Sequence, residues 1–426
     1  MFVTSSLGSN EKGNLTVGGV DTTELVKEYG TPLYVMDERT IRGHCRTFQK
    51  SIEDNYGGNG LTVYASKAFN CKEMCRIIKD EGLGIDVVSG GELYTALSVD
   101  FPPERIVFHG NNKTRDELIM AVDNNVGRVI VDNITELENL NAIAADKGKN
   151  IGIMLRIKPG IDAHTHEFIK TGQIDSKFGF ALETGEALEA IKTALVMSNV
   201  TLSGLHCHIG SQIFDLDPFE LAATVMLDLI KQVKDETGVQ LGELNLGGGF
   251  GIKYLKSDRP RPYGDYMRKV SAAVNSYSKE LGIETPFILI EPGRSIVGAA
   301  GITLYTVGAV KEIPDVRTYV SVDAAEHLEI LDREEAAQRQ HRIYSGGAVA
   351  LGHDEAVTAG VMRVLGIDAH FGKVQVRQHV HAAHRAARMA GGRVVHHLDA
   401  IKTRLCRVQL ERLQFGLFHM NSFLCS

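Results

Sequence analysis

Lys67 in YASKAF, His208 and Ser211 in HIGSQ, a run of three glycines (Gly247, Gly248, Gly249) and EPGR (Glu291, Pro292, Gly293, Arg294) could do chemistry together. Each group lies at the C-terminal end of a short apolar run, as do Asp86 and Arg156. A lysine is almost never fully buried unless it is paired or functional, and Lys67 taken alone reads first as a surface or snorkelling residue. At a strand end facing a desolvated site it could lose its proton and condense with a carbonyl as a Schiff base. The glycine triplet alone is a flexible turn. Following one strand, with EPGR following the next, its backbone N–H groups could cradle phosphate oxygens. Glu291 reads either as half of a structural ion pair or as a carboxylate facing a ring nitrogen. His208 is either a satisfied core histidine or a ring that stacks on a planar ligand, with Ser211 beside it as a phosphate ligand. His206 and His208 alternate across Cys207 and so share a strand face. A two-histidine metal site is conceivable there, but no third ligand has suitable spacing, and no metal is expected.

Eight elements must position these groups. The segments 61–67, 84–89, 105–110, 128–133, 151–157, 201–210, 243–249 and 287–293 are apolar, β-branched and bounded by turn residues, as buried parallel strands should be. Helix-like stretches separate them, among them 71–82, 114–125 and 218–238. Eight β-then-α units predict an α/β fold, a closed (β/α)₈ TIM-like barrel with its active site at the C-terminal mouth of the strands. In that setting a Schiff-base lysine beside a phosphate cradle suggests pyridoxal 5′-phosphate (PLP). The same cofactor gives Glu291 a task, because a carboxylate at the pyridine nitrogen keeps it protonated.

Composition excludes several classes. With 43% hydrophobic and 23% charged residues and a net charge of −7, the chain carries no nucleic-acid footprint. No apolar run is long enough to span a bilayer, and MFVTSSLGSNEKG lacks the basic flank and apolar stretch of a signal peptide. The six cysteines show no framework spacing, so a cytoplasmic location is expected. Residues 1–34 are expected to join a mostly β domain that follows the barrel (35–300) and starts with 301–323.

The motifs in combination resemble the diaminopimelate decarboxylases, in the alanine-racemase/ornithine-decarboxylase group of fold-type III PLP enzymes. The matching stretches are YASKAFN (64–70), DVVSGGELYTAL (86–97), IVFHGNNKT (106–114), residues 155–180, GLHCHIGSQI (204–213), LNLGGGFGIKY (244–254) and EPGRSIVG (291–298). The resemblance spans about residues 15–323. It implies that Lys67 carries the cofactor, His208 stacks on its ring, and Ser211 and the triplet ending at Gly249 hold its phosphate. It also implies that Glu291 pairs with the pyridine nitrogen, that Pro292, Gly293 and Arg294 line the phosphate side, and that Arg156 lies near the ring hydroxyl. Arg294 would also reach a substrate carboxylate. The implied reaction converts meso-2,6-diaminopimelate to L-lysine and CO₂ in lysine biosynthesis, on a homodimer.

The resemblance stops after VSVD (320–323). The family's D-N-x-R-P-x-L-Y and C-E-S-x-D segments, and its tyrosine near the end, are absent from 324–426. Composition changes at the same place. Residues 324–426 hold 10 of the 16 histidines and 11 Arg against 2 Lys, where residues 1–323 hold 13 Arg against 20 Lys. A foreign reading frame or a different native segment would each produce this, and the break inside a motif favours the first. The histidine-rich run (His379, His381, His384, His396, His397) is expected to be solvated or disordered. Read this way, the C-terminal β domain is incomplete. The alternative function is then a barrel that binds PLP without turning over substrate.

Overall fold

A computed structural model describes residues 4–161, 177–254, 258–314 and 317–323, with the backbone of two further strands, Leu328–Leu331 and Val349–Ala350. Apart from those strands, the expectations for 324–426 lie outside the described residues, as does much of the 155–180 motif.

Eight parallel strands close on themselves: β1 (Gly60–Ala65), β2 (Gly84–Val87), β3 (Ile106–Phe108), β4 (Arg128–Val131), β5 (Ile151–Lys158), β6 (Val200–Cys207), β7 (Glu243–Asn245) and β8 (Phe287–Ile290). Each pairs with the next, and β8 returns to β1 through Ile288 opposite Gly60. The fold is the expected (β/α)₈ barrel. Its strands are apolar on both faces because both are covered. Val63, Val107, Ile130, Met154 and Leu289 meet in one cluster inside the barrel, while Tyr64, Ile85, Phe108, Val129, Ile153 and Leu205 pack into the outer core with the helices.

After β2 and β4 the helices start almost directly behind the strand ends, while the connections after β6 and β7 are longer. Ser89 accepts from Glu92 N to cap Gly90–Leu97, Thr114 and Glu117 form a capping box on Arg115–Asp123, and Asn133 caps Ile134–Asp146. Outside the barrel, Leu33–Met36 pairs antiparallel with Gly301–Tyr305, and Val17, Ile302 and Leu304 form a small core of their own. A hairpin of Val307–Ile313 and Arg317–Val322 follows. Among the described residues, no helix is long and apolar enough to cross a membrane.

Closure leaves no room for a side chain where β6 meets β7. The register of β6 shifts between Leu202 and Gly204, and a Cβ on Gly204 would lie 2.0 Å from the Glu243 carbonyl oxygen. Gly43, inside the helix Glu38–Tyr56, has nothing within 4 Å of such a Cβ. Gly204→Ala should therefore destabilise the chain by about 1–3 kcal/mol through overpacking. Gly43→Ala should stabilise it by roughly 0.5–1 kcal/mol through helix propensity. Urea denaturation of the two variants should shift in opposite directions; a Gly204→Ala midpoint equal to the parent's would refute the packing account.

Candidate active site

Strand β1 ends at Ala65, whose N–H is taken by the Pro292 carbonyl from the β8 loop, 3.2 Å away. Lys67 therefore sits in the single 3₁₀ turn Ser66–Ala68 that follows, two residues past the strand that it was expected to close. Its ammonium lies 4.0 Å from the carboxylate of Asp86 on β2. Asp86 is fully buried, and neither oxygen has a hydrogen-bond donor among the described residues. Burial pushes its pKa up, against the opposing pull of His109 and Lys67.

Glu291, directly after β8, is the most heavily coordinated charge in the mouth. Its Oε1 accepts from His109 Nε2 after β3 and from Asn245 Nδ2 on β7, both at 2.7 Å. His206 Nε2 on β6 approaches Oε2 at 3.4 Å. Burial alone would raise the carboxyl's pKa, but the facing His109 and His206 rings and the hydrogen bonds outweigh it and hold Glu291 well below the carboxylate range. An ionised acceptor requires the proton of His109 to be on Nε2. Burial pushes His206 down to about 3, against the pull of Glu291, so that ring is neutral.

The ligand atoms of His109, His206 and Glu291 lie within 4.8 Å of one another, a spacing that could hold a metal ion. Oε1 of that carboxylate is already engaged by two N–H donors, His109 and the Asn245 amide. The pairing of His206 with His208 weighed from sequence does not form. Strand β6 ends at Cys207, and the His208 ring turns to the glycine loop, where its Nδ1 accepts from Gly248 N at 3.3 Å. Burial, and then the nearby Lys67 and Arg156 charges, hold His208 well below its usual pKa. It is a neutral ring with its proton on Nε2.

The glycine triplet has no room for side chains. A Cβ on Gly248 would lie 2.1 Å from the Glu291 carbonyl oxygen, and Gly249, at φ +100°, faces the Gly210 carbonyl at 2.3 Å. Beside it, Arg294 Nη2 donates to Ser211 Oγ at 3.1 Å. Arg156, buried on β5, stacks its guanidinium 4.2 Å over the Phe178 ring, while Asp132, after β4, fixes the adjacent backbone by accepting from Gly179 N at 3.0 Å. The mouth thus gathers a lysine beside a buried carboxylate, a second carboxylate held ionised, a neutral histidine, and a side-chain-free loop flanked by Ser211 and Arg294. These residues fit PLP. The amine suits its aldehyde, Glu291 its pyridinium nitrogen, and the glycine loop with Ser211 and Arg294 its phosphate.

Residues 38–298 match the model of the pyridoxal-binding domain of pyridoxal-dependent decarboxylases. The diaminopimelate decarboxylase of Bacillus methanolicus is 48% identical over 323 residues, covering 76% of this chain and 74% of that protein. The enzyme of Bacillus subtilis is 44% identical over 358 residues, 84% and 81% of the two chains. This chain belongs to the diaminopimelate decarboxylase family. Within the family, a crystal structure of the M. jannaschii enzyme in complex with L-lysine superposes with a TM-score of 0.70 at 36% identity, covering 76% of this chain and 74% of that one.

Sequence reading passed over His109 and Asn245, and knew His206 only as a metal candidate. The strand-end rule that singled out Lys67 applies equally to His109, which directly follows β3 in the quoted IVFHG stretch. Glu92 was also passed over. Its Oε2 accepts from Ser66 Oγ, next to Lys67, at 3.0 Å and from Val88 N at 2.7 Å. Burial raises its pKa to about 7, above the usual carboxylate value of 4.5. The folded chain then retains a proton that the unfolded chain has lost, so stability contributed by the protonated form falls as pH rises from about 4.5 to about 7. The effect is at most about 3 kcal/mol. Glu92→Gln, which mimics the protonated acid, should flatten this part of the profile. Denaturation of parent and variant at pH 5 and 7.5 measures the difference; parallel profiles would show that Glu92 does not titrate there.

Proposed function

We propose that this chain decarboxylates meso-2,6-diaminopimelate to L-lysine and CO₂ with PLP held at Lys67, working in the cytoplasm as a homodimer. The observation that carries the reading is the ionised Glu291, buried behind its His109 and Asn245 donors, with His206 at 3.4 Å, at the mouth that also holds Lys67. When bound, PLP supplies an electron-accepting ring that takes up the pair released as the bond between Cα and the carboxylate breaks. Glu291 keeps a proton on the ring nitrogen, because a buried anion favours the protonated pyridine. Lys67 holds the cofactor through its amine, with Asp86 4.0 Å away to stabilise the ammonium whenever the lysine is displaced. His208, neutral, packs against the ring face without adding charge that would compete with Glu291. Ser211, the triplet Gly247 to Gly249, Pro292, Gly293 and Arg294 bind the phosphate side, and Arg294 also pairs with a substrate carboxylate. Arg156 lies on the side of the ring hydroxyl.

Borohydride reduction of the PLP-loaded chain followed by peptide mapping should place the pyridoxyl group on Lys67; a label on another lysine would refute the assignment. Incubation with meso-diaminopimelate should release CO₂ and form L-lysine, and Lys67→Ala should abolish both. Cofactor binding without any CO₂ release would instead establish the non-catalytic barrel. Glu291→Gln should retain PLP but depress decarboxylation by orders of magnitude, since a neutral amide cannot hold the ring nitrogen protonated. An unchanged rate would remove Glu291 from the mechanism.

A further inference from the structure

The three loops assigned to the phosphate follow β6, β7 and β8, and one helix reaches all of them. The helix Tyr263–Leu281 places Tyr263 and Tyr266 three residues apart, on one face. Tyr263 OH donates to the Ser295 carbonyl at 2.8 Å, in the turn that begins with Arg294. Tyr266 OH donates to the Ile213 carbonyl at 2.9 Å, two residues beyond Ser211. Phe250, the residue after Gly249, sets its ring edge-on to both tyrosines, at 6.4 Å from Tyr263 and 5.2 Å from Tyr266, and Phe48 stacks on Tyr263 at 4.1 Å.

The β6 and β7 loops are also laced to each other. Ile213 N donates to Gly249 O, Gly251 N donates to Ile213 O, and the Gln212 amide exchanges hydrogen bonds with the Ile252 backbone. Among the described residues, the β8 turn is tied to these two loops by fewer backbone bonds. Glu291 N reaches Gly247 O, the Pro292 carbonyl accepts from Ala65 N and Arg294 reaches Ser211, and beyond these the turn's backbone is held from the helices, by Tyr263 at Ser295 and by His44 at Ile296. Burial pushes both phenols up to about 12, so they remain donors across the working pH range.

We infer that Tyr263 and Tyr266 are positioning residues for the cofactor's phosphate, holding Ser211, the glycine triplet and Arg294 in one constellation; this rests on the PLP reading above. A phosphate takes its hydrogen bonds from all three loops at once, so a loop that drifts loses its share of the binding. Replacing either tyrosine by phenylalanine keeps the ring packing and removes only the tether.

The test titrates the full-length chain, stripped of cofactor, with PLP and separately with pyridoxal, which lacks the phosphate. Tyr263→Phe and Tyr266→Phe should each weaken PLP binding about five-fold, and the double variant about twenty-fold, as expected for losing one buried hydrogen bond each. Pyridoxal affinity should stay within about two-fold, since that ligand makes no phosphate contacts. Tyr277→Phe on the same helix, whose hydroxyl bonds Asp228 instead, should change neither. A merely structural role would weaken both ligands together, and an unchanged ratio of PLP to pyridoxal affinity would overturn the inference. If the double variant fails to fold, the single variants read the same ratio. Failure of the unaltered chain to bind PLP would sink the cofactor reading and this inference with it; PLP binding with an unchanged ratio would sink this inference alone.

Discussion

A carboxylate buried at the mouth of a barrel must be compensated, and the compensation of Glu291 organises much of this molecule. Removing an anion from water costs several kcal/mol unless donors replace the lost hydration. Hydrogen bonds to a charged group return about 1.5–3 kcal/mol each. The donors come from two other strands, His109 behind β3 and Asn245 on β7, while the His206 ring on β6 approaches at 3.4 Å. No two neighbouring strands could supply them, so the interaction exists only when the sheet closes. The same closure brings the Glu291 carbonyl against Gly248, where the backbone of the β7 loop must pass without a side chain.

The mouth is divided electrostatically. Glu291 is held ionised on one side, while Arg294 and Ser211 face the glycine loop on the other. The two histidines between them, His206 and His208, are kept neutral by burial, so neither cancels the charge that the chemistry uses. Asp86 and Lys67 form a third pair, close enough to interact but too long for a hydrogen bond. While Lys67 is an ammonium, Asp86 is close enough to compensate its charge.

Behind the loops, a layer of aromatic rings transmits helix position to the site. Phe48, Phe219, Phe250, Tyr263 and Tyr266 pack ring against ring under the β6 to β8 loops, and packed interiors deform little. The glycine-rich stretch is therefore held by what surrounds it, although glycine itself restricts its backbone least.

The sequence by itself determined the barrel and most of its mouth. Period, strand length and turn residues are local properties, and they placed all eight strands and put Lys67, His208, Ser211, the glycine triplet and Glu291 at strand ends. Lys67 lies two residues past the strand it was expected to close, since β1 ends at Ala65, whose N–H bonds the Pro292 carbonyl, a partner no local signal reveals. Only the tertiary structure decided what Glu291 touches. His109 lies 182 residues away and Asn245 lies 46 residues away, and each is an ordinary polar residue until closure brings it within 2.7 Å of the same oxygen. The pairing of His206 with Glu291, and the turn of His208 toward Gly248, were settled in the same way. Sequence spacing fixes which face a side chain leaves from, but not which distant strand the folded chain brings opposite it.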